Sequence, residues 1–181
     1  MNMNNTHSNP IIFNQIDRFQ FKINFEGNNT SMIVDEPEPY GKNSGPSPEQ
    51  LLCAAVANCM SNSLYSAINR KNPDPAPLTT IATAILGRNA ENRLRIQAIE
   101  VSIKLGKSIA ELGDLEQALA RFEDFCTVAS SVNQGIPVKC RITDCEGAIL
   151  KNELDDISDF EDHTECSIDG TGCSCGCGME H

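Results

Sequence analysis

The strongest constraint on the fold is one long apolar segment, residues 51–68, which contains no charged residue. Ser47 precedes it as a favourable N-cap, Pro48 suits the first helical position, and Gln50 can close a capping box with Ser47. An uncharged segment of this length has little surface that suits water. The sequence therefore predicts a buried central helix, built largely of small residues, with Cys59 in its middle.

The length and the charge of the chain divide it into three parts. Its 181 residues suit one domain with an appendage. We expect a disordered N-terminus at 1–15, a folded domain at 16–150, and a flexible tail at 151–181 that is acidic and rich in cysteine. The tail has one lysine against nine acidic residues, so it accounts for most of the net charge of −11.

The net charge and the N-terminus also restrict the partners and the compartment. Negative charge opposes both phosphate backbones and anionic lipid surfaces, so we expect neither a nucleic acid nor a membrane as a partner. The N-terminus has neither a basic start nor an apolar run, and nine cysteines without a signal peptide indicate thiol chemistry or metal binding. These features predict a cytoplasmic protein.

Alternating and helical patterns place the other elements. The predicted order is strand, strand, central helix, strand, strand, helix, strand, without repeats. In the fourth strand the apolar positions change from even to odd numbers near Ala98, which predicts a β-bulge there. The second helix is predicted from apolar residues spaced by three and four, and Cys126 follows on the same face. Its apolar residues are Leu112, Leu115, Leu119 and Phe122. Hairpins separated by helices predict an α+β sandwich.

Two motifs carry a resemblance to a known family. The first is Gly45-Pro-Ser-Pro-Glu-Gln-Leu-Leu52 leading into Ala57-Asn-Cys59, and the second is Cys126-Thr-Val-Ala-Ser130. Together they resemble the OsmC/Ohr family of osmotically induced and organic hydroperoxide resistance proteins, over roughly residues 16–150. The resemblance implies an OsmC-like sandwich, an intertwined homodimer with two central helices packed against antiparallel sheets. It also implies an active site at each subunit boundary.

The resemblance assigns roles to three residues, and it adds Arg18 as a candidate that no motif places and that is otherwise a solvated strand arginine. Cys59 matches the cysteine that attacks the peroxide, Cys126 matches its resolving partner, and Glu49 matches the glutamate that accompanies the pair. The peroxidase branches use an N-terminal arginine to steady the thiolate, and Arg18 is the arginine upstream of the helix here. Cys59 lies about three turns into its helix, where the N-terminal dipole has faded, so we expect a cation to activate it.

Helix geometry and the usual burial of cysteine limit which cysteines can pair, and they leave a structural alternative for the candidate residues. Cys53 is six residues from Cys59 on one helix, ~120° around and ~9 Å along the axis, which is beyond disulfide reach. Cys53, Cys140 and Cys145 are interpreted as ordinary core or surface thiols. Residue patterns alone also allow Cys59 and Cys126 to be two buried small apolar residues, and they allow Glu49 to be a helix-stabilising acid.

The tail contains a second group of candidate residues. Thiolates and imidazoles separated by glycines suit a soft or borderline cation such as zinc or copper, although Cys-x-Cys-x-Cys is not the usual zinc spacing. The alternative is a flexible tail with adventitious thiols. The candidate ligands are His163, Cys166, Cys173, Cys175, Cys177 and His181. No cofactor is expected for the folded domain.

The leading functional hypothesis is a thiol-dependent peroxidase that reduces organic hydroperoxides and is restored by an external dithiol reductant. One alternative is an OsmC-like protein that binds a ligand or senses redox state without efficient peroxidase turnover. Another is metal storage or delivery through the tail.

Overall fold

The computed structural model describes residues 10–27 and 30–154. Seven strands and four α-helices form this part of the chain, together with one 3₁₀ helix. The strands are β1 (Ile11–Gln15), β2 (Phe21–Phe25), β3 (Ser31–Val34), β4 (Thr79–Arg88), β5 (Leu94–Lys104), β6 (Val138–Thr143) and β7 (Ile149–Asn152). The helices are α1 (Pro48–Asn69), α2 (Ile109–Leu112), α3 (Glu116–Arg121), the 3₁₀ helix (Phe122–Phe125) and α4 (Thr127–Val132).

The strands form two sheets, and the mixed α+β class is as predicted. The N-terminal sheet has the antiparallel order β1-β2-β3, and the C-terminal sheet has the order β4-β5-β6-β7. Within the C-terminal sheet, β5 and β6 run parallel, whereas the other neighbours are antiparallel. The prediction of purely antiparallel sheets was therefore wrong for β5 and β6. These strands run parallel because the segment between them crosses over the sheet through the short helices.

The central helix α1 begins as the sequence predicts. Ser47 and Gln50 form both hydrogen bonds of the capping box, and Pro48 is the first helical residue. One stripe of α1 is buried against the C-terminal sheet and the short helices. Its members are Cys53, Val56, Met60, Leu64 and Ile68. The spacing of three and four residues is that of a helix with one face in a core.

The opposite face of α1 is mostly uncovered. Among the helices in residues 10–27 and 30–154, α1 is the one long and apolar enough to cross a bilayer by length and composition. Only 28% of its most apolar 18-residue window is buried. The core helix of a soluble protein meets the same length and composition criteria, so these criteria do not by themselves indicate a membrane span. The uncovered residues are small or polar and include Ala54, Ala55, Asn58 and Asn62. This face is turned toward the N-terminal sheet.

The predicted bulge is confirmed. Ile85 of β4 pairs with Ala98 of β5, but the next residue, Leu86, pairs with Ile96. Gln97 is therefore the extra residue. Past it the buried positions of β5 fall on odd numbers, so the bulge keeps both halves of the strand facing the core.

Both ends of the predicted domain are corrected. Residues 1–15 were expected to be disordered, yet Ile11–Gln15 form β1, which pairs with β2 along its whole length. The tail was expected from residue 151, yet Lys151 and Asn152 belong to β7 and pair with β6. The remainder of these two segments, 1–9 and 155–181, lies outside the described residues.

The predicted second helix is broken into pieces. Its apolar residues do face the core: Leu112, Leu115 and Phe122 are almost fully buried. However, Gly113 has φ 77° and ψ −150°, a conformation that ends α2 and that side chains strongly disfavour. The chain then bends into α3 and the 3₁₀ helix. The apolar spacing was correct, and the continuity of the helix was wrong.

Candidate active site

Two cysteines from distant parts of the chain meet at the centre of the molecule. Cys59 lies in the middle of α1, and Cys126 is the residue before α4. Their sulfur atoms are 2.8 Å apart, and both thiols are free. Cys126 is fully buried, whereas Cys59 is partly exposed. The two predicted redox residues are therefore together, and the more accessible one is the predicted attacking residue.

Hydrogen bonds from three groups converge on the sulfur of Cys59. The Cys126 thiol donates at 2.8 Å, and the backbone N–H of Val128 donates at 3.4 Å. Burial raises the pKa of Cys59, but the hydrogen bonds from Cys126, Val128 and the Ala129 N–H outweigh it, and the net pKa is lowered from 9.0. Hydrogen bonds to an anion favour the charged form. Cys59 is therefore poised to ionise before an ordinary cysteine.

The partner cysteine is shifted in the opposite direction. Burial raises the pKa of Cys126 to about 11, and its hydrogen bond to Cys59 adds to that shift. Cys126 thus keeps its proton while Cys59 ionises. Of the two sulfurs, that of Cys59 therefore has the greater tendency to be a thiolate, and the Cys126 thiol is placed to donate a hydrogen bond to it.

A cleft leads to Cys59 between α1 and the N-terminal sheet. Its volume is about 810 Å³. The sheet contributes large apolar side chains, and α1 contributes smaller and polar ones. The sheet side consists of Ile11, Phe13, Ile23, Phe25 and Met32. The helix side includes Leu51, Ala54, Ala55, Asn58, Asn62 and Ser63, with Val128 nearby. The described residues that line this cleft include no charged side chain.

Glu49 is not near Cys59 within one chain. It lies ten residues earlier on α1, which corresponds to about 15 Å along the axis. Its carboxylate accepts a hydrogen bond from the Ser47 hydroxyl at 2.8 Å, and it lines a separate cleft with Arg95 and Leu94. Any contact between Glu49 and a Cys59 thiol therefore requires a second chain.

Arg18 also lies away from Cys59. It occupies the exposed connection between β1 and β2, with its guanidinium 5.5 Å from the centre of the Phe19 ring. It does not line the cleft. The roles predicted for Glu49 and Arg18 remain predictions.

The other cysteines of the described domain lie outside the Cys59 cleft, and two of the three are buried. Burial raises the pKa of Cys53, and it raises the pKa of Cys140 to about 12. Both are buried, as interpreted from the sequence, and Cys145 is partly exposed. Across 10–27 and 30–154, no three histidine, cysteine or acidic residues are grouped so as to hold a metal ion. The tail ligands predicted from His163 to His181 lie outside the described residues.

The backbone donors were not predicted from the sequence. A cation was expected beside Cys59, whereas the groups that lower the Cys59 pKa are a thiol and the N–H groups of Val128 and Ala129. Backbone groups leave no trace in side-chain chemistry. The available signal was the stretch Cys126-Thr127-Val128-Ala129, in which a helix begins directly after a cysteine. The first N–H groups of a helix have no partners within it and are free to bind a sulfur.

Comparison of the sequence with protein families gives one relevant match. The model described as "OsmC-like protein" matches residues 41–141. This range includes both cysteines, α1 and most of the C-terminal sheet. Comparison with curated proteins gives no match.

Three solved structures with similar folds are described as OsmC-like or as organic hydroperoxide resistance proteins. An OsmC-like protein of unknown function from Vibrio cholerae has a TM-score of 0.62 and 19% identity, over 76% of this chain and 99% of that one. An organic hydroperoxide resistance protein from Elizabethkingia anophelis has a TM-score of 0.59 and 16% identity, over 78% and 99%. The organic hydroperoxide resistance protein OhrB of Bacillus subtilis has a TM-score of 0.54 and 16% identity, over 76% and 98%. At these identities the similarity establishes the fold.

Proposed function

The chain belongs to the OsmC-like protein family, and from this premise we propose that it is a thiol-dependent peroxidase that reduces organic hydroperoxides. The observation that carries the proposal is the pair of sulfurs, 2.8 Å apart, with the pKa of Cys59 lowered and that of Cys126 raised. A peroxidase of this kind needs an accessible thiolate and a second thiol within bonding reach. Similar structures include proteins described as organic hydroperoxide resistance proteins.

The first chemical step uses the Cys59 thiolate. Its sulfur attacks the terminal oxygen of the hydroperoxide, the O–O bond breaks, and the alkoxide leaves as an alcohol after taking a proton from water. Cys59 becomes a sulfenic acid, having lost two electrons to the peroxide. The hydrogen bonds from the Val128 N–H and the Cys126 thiol prepare the thiolate for this attack.

The second step closes a disulfide. The Cys126 sulfur attacks the sulfur of the Cys59 sulfenic acid, and the hydroxyl group leaves as water with the proton that Cys126 gives up. A dithiol reductant then exchanges with the disulfide, returns two thiols to the protein, and becomes a disulfide itself. The net change is one hydroperoxide to one alcohol and one water for each dithiol oxidised.

The cleft favours an organic substrate over hydrogen peroxide. A hydrocarbon chain gains free energy by leaving water for the apolar side chains of the N-terminal sheet, at about 25 cal/mol per Å² of buried surface. Hydrogen peroxide has no such surface to bury. The described lining also offers no charged side chain. An alkyl or fatty-acid hydroperoxide therefore suits the cleft better.

The decisive experiment is stopped-flow oxidation with an alkyl hydroperoxide and, separately, with hydrogen peroxide. We expect a fast reaction with the alkyl hydroperoxide, a slower one with hydrogen peroxide, and a Cys59–Cys126 disulfide in the mapped product. Cys59→Ser should lower the rate by at least about 10³-fold, because a serine hydroxyl stays protonated and is a much weaker nucleophile. Cys126→Ser should retain the first step and stop at the sulfenic acid.

Cys145→Ser serves as the matched control, since Cys145 is partly exposed and lies outside the cleft. Its rate should equal that of the wild-type protein. If Cys59→Ser consumes hydroperoxide at the wild-type rate in a reductant-coupled assay, the proposal is wrong.

The same cleft supports a second candidate, an OsmC-like protein that binds an apolar ligand or senses redox state without efficient turnover. The observation in its favour is an apolar cleft of about 810 Å³ with no arginine among the described lining residues. This candidate predicts slow oxidation of Cys59 and an apolar molecule retained by the purified protein. Native mass spectrometry would detect such a molecule.

A further inference from the structure

A basic groove lies at the C-terminal end of α1, and it shares no lining residue with the Cys59 cleft. The basic groove is lined by Arg70, Lys71, Arg121 and Phe125, and its volume is about 520 Å³. Asp114 is the acidic residue among its lining residues. Three cations against one carboxylate make this a locally positive surface on a protein whose net charge is −11.

The cations of the groove retain capacity for a further partner. Arg121 contacts Asp124 at 3.7 Å, and both side chains are more than 60% exposed, so this pair is weak. Lys71 donates to the neutral side chain of Gln117 at 2.7 Å. The Arg70 guanidinium lies 5.6 Å from the centre of the Phe125 ring, and Phe125 is 58% exposed. The groove therefore offers positive charge beside an exposed aromatic ring.

The described chain ends close to this groove. Lys151 of β7 binds the Glu123 carboxylate at 2.8 Å and the Glu153 carboxylate at 2.9 Å. Its ammonium also lies 5.2 Å from the centre of the Phe122 ring. Glu123 and Phe125 belong to the same 3₁₀ helix, two residues apart. The ion pairs thus hold the end of β7 against the element that forms one wall of the groove.

The residues that follow have a composition that complements the groove. Residues 155–162 contain five acidic residues, no basic one, and Phe160 between Asp159 and Glu161. Eight extended residues span at most about 28 Å, so they can reach from Leu154 across the 3₁₀ helix. Their carboxylates match the cations of the groove, and Phe160 matches the exposed ring of Phe125.

We propose that residues 155–162 of the same chain bind in the basic groove. Their carboxylates pair with Arg70, Lys71 and Arg121, and Phe160 packs on Phe125. Covalent linkage raises the effective concentration of this segment, typically to the millimolar range for a short connection, so individually weak pairs suffice. An acidic peptide from another molecule lacks this advantage. The docking does not depend on the peroxidase reaction.

Chemical footprinting of Lys71 in the full-length protein tests the proposal. An amine-reactive acylating reagent should modify Lys71 about threefold more slowly than in a variant whose five acidic residues at 155–162 are replaced by their amides. A threefold change corresponds to a groove occupied two-thirds of the time. The difference should vanish at 1 M salt, where the Debye length is about 3 Å. Equal rates at low salt would overturn the proposal.

Two arginine variants with the same charge change distinguish binding of residues 155–162 in the groove from a non-specific electrostatic attraction of these residues to the protein. Arg70→Glu should remove the slow modification of Lys71. Arg93→Glu should retain it, because the residues that follow Arg93, Leu94 and Arg95, line a cleft with Pro48 and Glu49 at the N-terminal end of α1, a helix of 22 residues and about 33 Å. If both variants behave alike, the tail acts only as a diffuse charge, and the proposal is wrong. Arg121→Glu repeats the test should Arg70→Glu fail to fold.

A carbodiimide cross-link identifies the occupant. We expect an amide between Lys71 and a carboxylate within residues 155–162, formed inside one chain at low salt. A mixture of isotopically labelled and unlabelled protein shows whether the linked residues share a chain. Links that join labelled to unlabelled chains would overturn binding by the same chain.

Discussion

Cys59 owes its lowered pKa to groups that a short segment of chain presents to it. Burial alone would raise its pKa, and the Cys126 thiol with the N–H groups of Val128 and Ala129 reverses that effect. A buried cation would achieve a similar shift, but it would have to be desolvated itself. Hydrogen-bond donors fixed by the backbone stabilise the thiolate without that cost.

We predict a pH dependence of Cys59 that follows from these donors. Below its pKa the thiol is protonated and unreactive, so its alkylation by iodoacetamide should fall tenfold per pH unit on the acid side of the midpoint. The midpoint should lie below 9.0. In Cys126→Ala one donor is absent, so the midpoint should move to higher pH. Rates measured from pH 5 to 10 by mass spectrometry test both statements.

Cys53→Ala is the control for this measurement. Cys53 faces the core from the other side of α1 and is not among the groups that shift the pKa of Cys59. Its replacement should leave the midpoint unchanged. A midpoint for Cys59 at or above that of a free cysteine would contradict the assigned role of the three donors.

At the scale of elements, the path of the chain between β5 and β6 depends on the turn at Gly113. Gly113 ends α2 with φ 77° and lets the chain bury Leu112 and Leu115 on both sides of the bend. The turn therefore sets where α3, the 3₁₀ helix and finally Cys126 lie.

Gly113→Ala should destabilise the protein by about 1–3 kcal/mol, the cost of holding a non-glycine residue in this conformation. A new Cβ would have space, since its nearest neighbour is the Asn72 amide nitrogen at 3.9 Å, so the cost is in the backbone. Urea denaturation gives the free energy of unfolding. Gly135→Ala is the matched control, because Gly135 has neither a positive φ nor a close neighbour, and it should be neutral or slightly stabilising. Equal losses in both variants would contradict this account.

At the scale of the molecule, two apolar surfaces are left facing each other across an open cleft. Ile11 and Phe13 of β1 are each more than half exposed, and α1 exposes Ala54 and Ala55. A monomer rarely leaves adjoining apolar surfaces of this kind in water. A second copy of the chain, which the family resemblance implies, would cover the open side of this cleft and leave its interior to the substrate, and it would bring a second Glu49 toward the site.

We therefore predict that the protein sediments at twice the mass of one chain. Ala55→Glu should weaken this association by at least about a hundredfold, because an unpaired charge in an apolar interface costs several kcal/mol. Ala120→Glu makes the same change at an exposed position of α3 and should leave the mass unchanged. Analytical ultracentrifugation over a range of concentrations distinguishes these outcomes. A wild-type protein that stays monomeric at high concentration would contradict the prediction.

The sequence predicts those features that one strong local pattern determines. The cap of α1, the bulge beside Ala98 and the meeting of Cys59 with Cys126 were all predicted, the last from the family resemblance. The prediction that α1 is buried around most of its circumference was wrong for the single chain, in which one stripe of the helix is buried. β1 was missed, because Ile11–Gln15 become a strand only by pairing with β2. The Gly113 turn was missed, because the apolar spacing fits a continuous helix equally well. The donors at Val128 and Ala129 were missed, because every residue type carries an N–H there except proline.

The uncharged cleft beside Cys59 has a consequence for the end of the proposed catalytic cycle. Its apolar walls hold the hydrocarbon part of a molecule, and that part is the same in the hydroperoxide and in the alcohol formed from it. Such contacts bind reactant and product alike and cannot by themselves hasten the bond-breaking step. Longer hydrocarbon chains would therefore enter more readily and depart more slowly, so that escape of the alcohol, rather than cleavage of the peroxide, would come to limit turnover.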